Sequence, residues 1–413
     1  MTSNVARLSQ TGKKKPLSAD GAVGTVAEQN AVSGNRFVLE RRPAVRLADI
    51  AEAWDDLARR ALERNIFTER AFALTAAQHI ASEQHMGAVL VWRSSRKAPG
   101  DLLGLFLANG RRIDVPGVSR LWHMPFCGLD TPLIDAENAL DVAGAFLDHM
   151  AKRAALAGGV MFPLLPVEGA VAKTFAAAAE ARGLATQLFD RHERAVLNGG
   201  HDPETFLTSA LPGKKLKELR RQLRRLDELG AVRVETAVEP QAVRDATEVF
   251  LALEASGWKA QRGTALLQSD GTATFVRTMT RLLASEGRCR VITLRSGDKP
   301  IAAGVLLDAG SHSWFWKIAY DEQFARFSPG VQLTLALTRY QLERKTVERT
   351  DSCAIAGHPM IDHLWPERMA VADLFIGLRP GGHGLPAAVI RLERLRRNLR
   401  GAAKHVYYRL KGY

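Results

Sequence analysis

The sequence predicts an α/β (α+β) fold with two lobes, each a mixed, mostly antiparallel twisted sheet flanked by helices. Short apolar runs with a period of two alternate along the chain with longer segments of helical period, a pattern typical of mixed strands and helices. The chain has 413 residues. This length exceeds one typical domain and allows two hydrophobic cores.

The composition is that of an ordinary globular protein, with 46% hydrophobic and 24% charged residues. No uncharged apolar run reaches the roughly 18 residues of a membrane span, and the first residues lack the apolar segment of a secretory signal. Cys127, Cys289 and Cys353 lie too far apart for a metal or disulfide spacing. We therefore expect a cytoplasmic protein that needs no metal, with peripheral contact with the inner membrane as an option.

The positive charge of the chain is concentrated in a few segments. The formal net charge is +13, and Lys214–Arg225 supplies +6 of it, Arg379–Tyr413 +8 and the first 35 residues +2. The rest of the chain is therefore slightly acidic. This distribution argues against a protein whose whole surface binds nucleic acid.

Residues 36–200 are predicted to form the first lobe, after a disordered polar leader at 1–35. Its strands and helices alternate, and Asn65-Ile66-Phe67 is interpreted as a buried loop anchor. His123, Cys127 and Asp130 lie near a Gly-Leu-Asp-Thr-Pro turn and are either cleft residues or ordinary packed neighbours. We expect this lobe to serve structure or acceptor binding.

Residues 201–380 are predicted to form the second lobe, and its central stretch is the most informative part of the sequence. Three strands, Cys289–Leu294, Ile301–Asp308 and Ser313–Tyr320, precede a helix that starts at Pro329. Strict alternation in the third strand predicts that Trp314, Trp316, Ile318 and Tyr320 share one face, opposite Phe315 and Lys317.

The start of that helix is a candidate phosphate site. A strand leads through a polar loop to Ser328-Pro329-Gly330, so the first backbone N–H groups and the positive end of the helix dipole face outwards. An ordinary helix start without a ligand gives the same sequence pattern. The order of the surrounding elements favours the phosphate site.

Two hairpin strands, a third strand, a helix, a strand, a helix and a last strand follow one another from Cys289 to Leu378. This order resembles a GNAT acyltransferase domain, and the details resemble the CelD/BcsL-type acetyltransferases, named for a link to cellulose biosynthesis and similar to the FemAB-like two-lobed transferases. The matching residues are Glu254, Trp258, Lys259, Ala319-Tyr320-Asp321, Phe324, Ser328-Pro329-Gly330, Asp351 and Gly357-His358-Pro359. The resemblance covers most of Phe37–Leu378. It implies a first lobe that has lost the phosphate site.

The resemblance also implies roles for individual residues. The donor, acetyl-CoA, would be bound by Ile318, Tyr320, Phe324, Arg326, Ser328, Pro329, Gly330 and Val331. Trp258, Lys259 and Trp316 would contact the acceptor. Glu254, Asp351 and His358 are the candidate proton acceptors, although each residue type is more often structural.

Two basic segments have more than one interpretation. Lys214–Arg225 lies on a helix with a leucine stripe, and it is either a solvated face or a contact for an anionic partner such as a cofactor phosphate. Residues 381–413 are predicted to form a basic C-terminal helix that contacts an anionic membrane surface, contacts a partner, or adds only solubility.

The sequence therefore predicts an acyl-CoA-dependent N- or O-acyltransferase with an amine or hydroxyl acceptor on a sugar or polysaccharide precursor. One alternative is a FemAB-like transferase that uses aminoacyl-tRNA, with nucleic acid contacted by the basic helix. The other is a non-catalytic adaptor in exopolysaccharide or cellulose assembly.

Overall fold

The computed structural model describes residues 36–94, 100–109, 117–153, 158–257, 263–380 and 385–410. The predicted leader at 1–35 lies outside these residues. So do Trp258 and Lys259, two of the predicted acceptor contacts.

The strands form one sheet of four and one of nine, in the orders β1-β2-β3-β5 and β4-β6-β13-β7-β12-β11-β10-β9-β8. Most neighbours are antiparallel; β11 with β12 and β4 with β6 are parallel. The strands are β1 Phe37–Pro43, β2 Gly87–Arg93, β3 Leu102–Ala108, β4 Val118–Arg120, β5 Leu133–Ile134, β6 Gly159–Pro166, β7 Leu184–Asn198, β8 Val232–Ala237, β9 Cys289–Ser296, β10 Lys299–Ala309, β11 His312–Tyr320, β12 Arg349–Asp351 and β13 Glu367–Pro380.

Helices cover the faces of these sheets. They are α1 Ala51–Arg60, α2 Arg70–His79, α3 Ala139–Arg153, α4 Ala170–Glu180, α5 Pro203–Ala210, α6 Gly213–Asp227, α7 Pro240–Ser256, α8 Asp270–Ser285, α9 Pro329–Glu343, α10 Ile361–Leu364 and α11 Leu385–Leu410. The predicted fold class, mixed sheets flanked by helices, is confirmed.

The three antiparallel strands β9, β10 and β11 are joined by two tight turns. Gly297 and Gly310 have φ angles of 57° and 60°, the left-handed values that two-residue hairpin turns require. The register pairs Ser296 with Lys299 and Ala309 with His312, so each turn contains two residues.

Each of these strands contributes side chains to two separate cores. Val305 and Trp314 pack into the core that contains α2, α7 and α8, while Leu306 and Phe315 pack into the core beneath α6 and α9. Because the side chains on both faces of these strands are buried, the sequence shows nearly continuous apolar runs here.

The sheet is continuous across the predicted boundary at 200, which the sequence did not predict. β13 is inserted between β6 and β7, two strands from the first half of the chain. After the helix that starts at Pro329, the sequence predicts a strand over Val347–Ile355, but β12 is shorter and ends at Asp351. The sequence does not predict α5 and β8. Long-range strand pairing leaves no local mark in the sequence, so separate sheets were the simpler expectation.

Candidate functional site

A gap opens between the neighbouring strands β11 and β12. The parallel pairing covers His312–Trp314 of β11 and Arg349–Asp351 of β12, and in the described part of the chain the two strands do not pair beyond it. β11 continues to Tyr320, whereas the chain turns at Cys353, which has a left-handed φ of 52°. Backbone groups along Phe315–Tyr320 therefore have no strand beside them on this edge and are available to a bound ligand.

A β-bulge in β11 lies beside this gap. Val305 pairs with Lys317 and Leu306 with Phe315, which leaves Trp316 as the extra residue. The prediction that Trp314, Trp316, Ile318 and Tyr320 share a face was wrong, because the extra residue reverses the alternation. Ile318 packs into the core beneath α9, and Lys317 lies on the side of Trp314 and Trp316.

The N-terminus of α9 lies where β11 ends. Ser328 precedes the helix with a φ of 52°, and its side chain makes no capping hydrogen bond to the described residues. Pro329 is the first helical residue, so Gly330 and Val331 carry the first helical N–H groups. Uncapped N–H groups at the positive end of a 15-residue helix suit a phosphate.

The last residues of β11 lie directly against this helix start. A Cβ placed on Gly330 would lie 3.4 Å from Tyr320 Cδ1, 3.8 Å from Ile318 Cδ1 and 3.7 Å from Met360 Sδ. The gap and the helix N-terminus are therefore parts of one site. Four of the predicted donor contacts, Ile318, Tyr320, Pro329 and Gly330, meet there.

The connection from β11 to α9 is a short 3-10 helix, Glu322–Phe327. Asp321 caps it, because its side chain accepts a hydrogen bond from the backbone N–H of Gln323 at 2.9 Å. Lys299 Nζ lies 4.8 Å from the centre of the Phe324 ring, and the Arg326 guanidinium lies 4.7 Å from that of Phe327. Arg326 is exposed beside the helix N-terminus, where it adds positive charge.

The basic helix α6 packs beside the same helix start. Gln332 Nε2, in the first turn of α9, donates a hydrogen bond to the Leu219 carbonyl oxygen of α6 at 2.9 Å. Leu219 and Leu226 are buried while the lysines and arginines of α6 are exposed. About a hundred residues separate α6 from α9 in the sequence. The fold nevertheless brings the lysines and arginines of α6 close to the positive, N-terminal end of α9.

Asp351 is the last residue of β12 before the gap, and both of its carboxylate oxygens are engaged. Oδ2 accepts from Arg194 Nη2 at 2.7 Å, and Oδ1 accepts from the Cys353 N–H at 2.9 Å. Burial raises the pKa of Asp351 above its usual value, and the charge of Arg194 opposes this change. Alternation along a strand over Val347–Ile355 predicts Asp351 and Cys353 on one face. The strand ends at Asp351 and Cys353 has a left-handed φ, so this alternation does not continue to Cys353.

Glu254 is buried near the C-terminus of α7, with 4% of its surface exposed. Its Oε2 accepts a hydrogen bond from the Leu266 N–H at 2.9 Å. One turn later, a Cβ on Gly257 would lie 3.3 Å from Glu322 Oε1, so this end of α7 reaches the connection that follows β11. The structure therefore places a buried carboxylate on the face of β11 opposite α9.

A loop from the first half of the chain, residues 123–130, lies against the gap. Trp316 Nε1 donates to the Phe126 carbonyl oxygen at 2.8 Å, and Lys317 Nζ lies 4.8 Å from the centre of the Phe126 ring. A Cβ on Gly128 would lie 2.7 Å from Cys353 Sγ. The loop thus contacts both β11 and the turn that follows β12.

A short hydrogen bond closes the base of this loop. His123 Nδ1 lies 2.6 Å from Asp130 Oδ2, and Asp130 is buried. Burial raises the pKa of Asp130, and the neighbouring His123 opposes this change. Burial also raises the pKa of the Cys127 and Cys353 thiols well above their usual values, so neither is a thiolate near neutral pH.

Residues 213–356 match the family model described as an acetyltransferase (GNAT) domain. This part of the chain is a GNAT domain. The prediction of a GNAT-type acyltransferase is thereby confirmed, whereas the CelD/BcsL type stays a prediction. No curated protein matches the sequence significantly.

Two solved structures align with most of the chain. FemX aligns with a TM-score of 0.52 and 11% identity, over 79% of this chain and 95% of its own. The C-terminal DUF2156 domain of a putative lysylphosphatidylglycerol synthetase from Agrobacterium fabrum aligns with a TM-score of 0.50 and 14% identity, over 84% of this chain and 95% of its own. At these identities the likeness establishes the fold.

His358 follows the GNAT match and lies three residues before the helix α10. Its Nδ1 lies 3.3 Å from the Met360 backbone nitrogen and 3.4 Å from that of Ile361. This ring nitrogen is occupied as a hydrogen-bond acceptor, so the ring's observed role is to hold the turn that leads into α10.

Sequence reasoning missed two residues that shape the site, Arg194 and Phe126. Arg194 directly precedes the short apolar run Ala195–Leu197, which is a weak signal of a buried ion pair. Phe126 had no signal, because its contact with Trp316 spans 190 residues. In the described residues no group of three or more potential ligands is placed to bind a metal ion, and no helix is long and apolar enough to cross a membrane.

Proposed function

We propose that this protein transfers an acetyl or similar short acyl group from coenzyme A to an amine or hydroxyl. The observation that carries the proposal is the continuous path from the gap between β11 and β12 to the uncapped N-terminus of α9. Such a path suits a long, narrow donor that has phosphates at one end and a thioester at the other.

The positions of positive charge and of unpaired backbone groups give the donor one orientation in the site. The pyrophosphate of coenzyme A would accept hydrogen bonds from the Gly330 and Val331 N–H groups. Its ribose 3′-phosphate would lie near Arg326 and the exposed cations of α6. Its pantetheine arm would run along the unpaired edge of β11. The thioester would then lie near the bulge at Trp316, where a backbone N–H without a strand partner can polarise the carbonyl.

The transfer is a direct displacement. The acceptor nitrogen or oxygen forms a bond to the thioester carbon, the carbon–sulfur bond breaks, and the thiolate of coenzyme A leaves with the electron pair. We assign acceptance of the acceptor's proton to Glu254, a buried carboxylate on the acceptor side of β11. Asp351 would shape the turn at Cys353, and His358 would hold α10, so neither needs to react.

The acceptor would enter beside the loop at residues 123–130. This loop contacts Trp316 and Cys353, so it forms the wall of the gap on the side of the first lobe. The resemblance to CelD/BcsL-type acetyltransferases supports a sugar or polysaccharide precursor as the acceptor. Proximity of the acceptor to the polarised thioester would supply most of the rate.

One observation favours a second candidate, a FemAB-like transferase with an aminoacyl-tRNA donor. Seven lysines and arginines occur in Lys214–Arg225, more positive charge than one nucleotide phosphate requires, and the helix lies beside the α9 N-terminus. RNA bound by this face would dissociate steeply as salt concentration rises. A non-catalytic adaptor would instead have a gap that admits no thioester.

Isothermal titration of the purified protein with acetyl-CoA tests the proposal, with free CoA and an unrelated nucleotide as controls. Saturable binding of acetyl-CoA and CoA, without binding of the nucleotide, is the expected result. If neither acetyl-CoA nor CoA binds, and aminoacyl-tRNA binds in a salt-dependent way, the second candidate replaces the proposal. If acetyl-CoA, CoA and aminoacyl-tRNA all fail to bind, the result favours the adaptor.

A further inference from the structure

The helix α11 has one face bound to the rest of the protein. Glu393 is fully buried there and accepts hydrogen bonds from Arg120 and Arg396 at 3.0 and 2.6 Å. Arg397 binds the same carboxylate and Asp373 at 2.6 and 2.7 Å. Val389, also buried, packs near Phe375 and Phe189. This network fixes which side of α11 faces outwards.

A row of leucines lies on the outward side. Leu392, Leu395 and Leu399 are 49%, 56% and 62% exposed, and their spacing of three and four residues places them in one line along the helix. Elsewhere in the described chain, the large apolar residues with this much exposure do not form such a line on one helix. An apolar row without cover indicates a contact surface.

The outward side is also basic. Arg391 and Arg394 are exposed, and Arg394 donates a hydrogen bond to the uncharged Gln187 Oε1 at 2.9 Å. Arg396 and Arg397 instead form ion pairs with Glu393 and Asp373 in the buried network. The sequence continues with Arg400, Lys404 and Arg409 and has no acidic residue after Glu393. The surface therefore combines a leucine row with an uncompensated positive charge.

We propose that α11 lies flat on an anionic lipid surface, with the leucine row entering the headgroup region and the arginines contacting lipid phosphates. This combination is what an interfacial amphipathic helix requires. A second copy of the chain is a poorer occupant, because it would bring the two positive faces together. Three leucines also provide far less apolar area than the roughly 800 Å² per partner of a stable interface.

Co-sedimentation of the full chain with vesicles tests this proposal without any acyl donor, so its result is independent of the acyltransferase proposal. Vesicles of phosphatidylcholine alone are compared with vesicles that also contain phosphatidylglycerol. We expect binding only to the anionic vesicles, weakened by added salt. Replacing Arg391 and Arg394 by Gln should weaken it about fivefold for each arginine.

The leucine row is tested by the double variant Leu395→Ser, Leu399→Ser, which should reduce binding at least tenfold. The matched control is Leu140→Ser, since Leu140 is 54% exposed on α3 and lies outside α11. Equal loss in the control, equal binding to both kinds of vesicle, or no binding would overturn the proposal. So would a concentration-dependent dimer that the double variant dissociates, because a second copy would then be the occupant.

Discussion

Trp316 and Phe126 join the two halves of the chain at the site, through a hydrogen bond of 2.8 Å from the indole Nε1 to the backbone oxygen. Trp316 is also the extra residue of the bulge beside the gap. A single side chain therefore connects the acceptor-side loop to the strand along which the donor is proposed to lie.

Replacing Trp316 by Phe should lower the free energy of unfolding by about 1 kcal/mol, because the Phe126 carbonyl loses its donor. It should also weaken acetyl-CoA binding, since the loop and β11 become less firmly connected. Trp54→Phe is a matched control: Trp54 Nε1 donates to the Thr68 carbonyl oxygen at 3.1 Å in the first half of the chain. Denaturant unfolding and titration of both variants check this, and equal effects on acetyl-CoA binding would contradict it.

Gly330 offers a graded test of the phosphate site. Its missing Cβ would lie at ordinary contact distance from Tyr320, so Gly330→Ala should fold normally and change stability by no more than about 1 kcal/mol. Gly330→Leu must place branched atoms among Tyr320, Ile318 and Met360. We expect an acetyl-CoA dissociation constant at least about tenfold higher, equivalent to about 1.4 kcal/mol. If a folded Gly330→Leu variant bound acetyl-CoA with unchanged affinity, the donor phosphate would not bind at this position.

Glu254 and Asp351 should respond differently to conversion into amides. Glu254→Gln keeps an oxygen for the Leu266 N–H, so donor binding and stability should persist while kcat falls by about a hundredfold or more. Asp351→Asn leaves the buried Arg194 without a counter-charge. Its free energy of unfolding should fall by about 3 kcal/mol. Measurements of turnover, acetyl-CoA binding and unfolding of both variants check these assignments. If Asp351→Asn lost turnover while Glu254→Gln lost stability, the two roles would have to be exchanged.

The ion pairs of Glu393 should make the stability of the contact between α11 and the rest of the protein depend on pH. Burial alone would raise the pKa of Glu393, but the hydrogen bond from Arg396 and the charges of Arg120 and Arg397 outweigh burial and lower the pKa to about 2. A depressed carboxyl pKa stabilises the fold above its unfolded value, 4.5, and this contribution is lost as pH falls towards 2.

The comparison is between the wild type and Glu393→Gln. Their difference in free energy of unfolding should be constant near neutral pH and narrow as the pH is lowered from about 4.5 towards 2. Chemical unfolding at a series of pH values measures it. A difference that does not depend on pH would show that the ion pairs of Glu393 do not stabilise α11.

The local parts of the site were predictable, and the long-range parts were not. Pro329 and Gly330 mark the start of α9, and the run Ser313–Tyr320 predicts β11, because these features depend on neighbouring residues. The bulge at Trp316 was missed because an extra residue in a strand changes the pairing without changing the apolar pattern.

The ion pair of Asp351 with Arg194 shows the limit for single residues. The two residues are separated by 157 positions, and neither position indicates a partner. The same holds for α6, whose leucine stripe predicts a helix but not its place beside Gln332. The sequence therefore predicts which elements exist, whereas tertiary contacts decide which of their side chains meet.

The insertion of β13 between β6 and β7 has a consequence for how the chain folds. During synthesis, β6 and β7 are complete long before β13 leaves the ribosome, and until then each has an unpaired edge exposed to aggregation. The first half of the chain cannot finish folding on its own. Pairing across some two hundred residues should also make folding slow. Removal of the C-terminal strand would thus open the middle of the sheet rather than trim its edge.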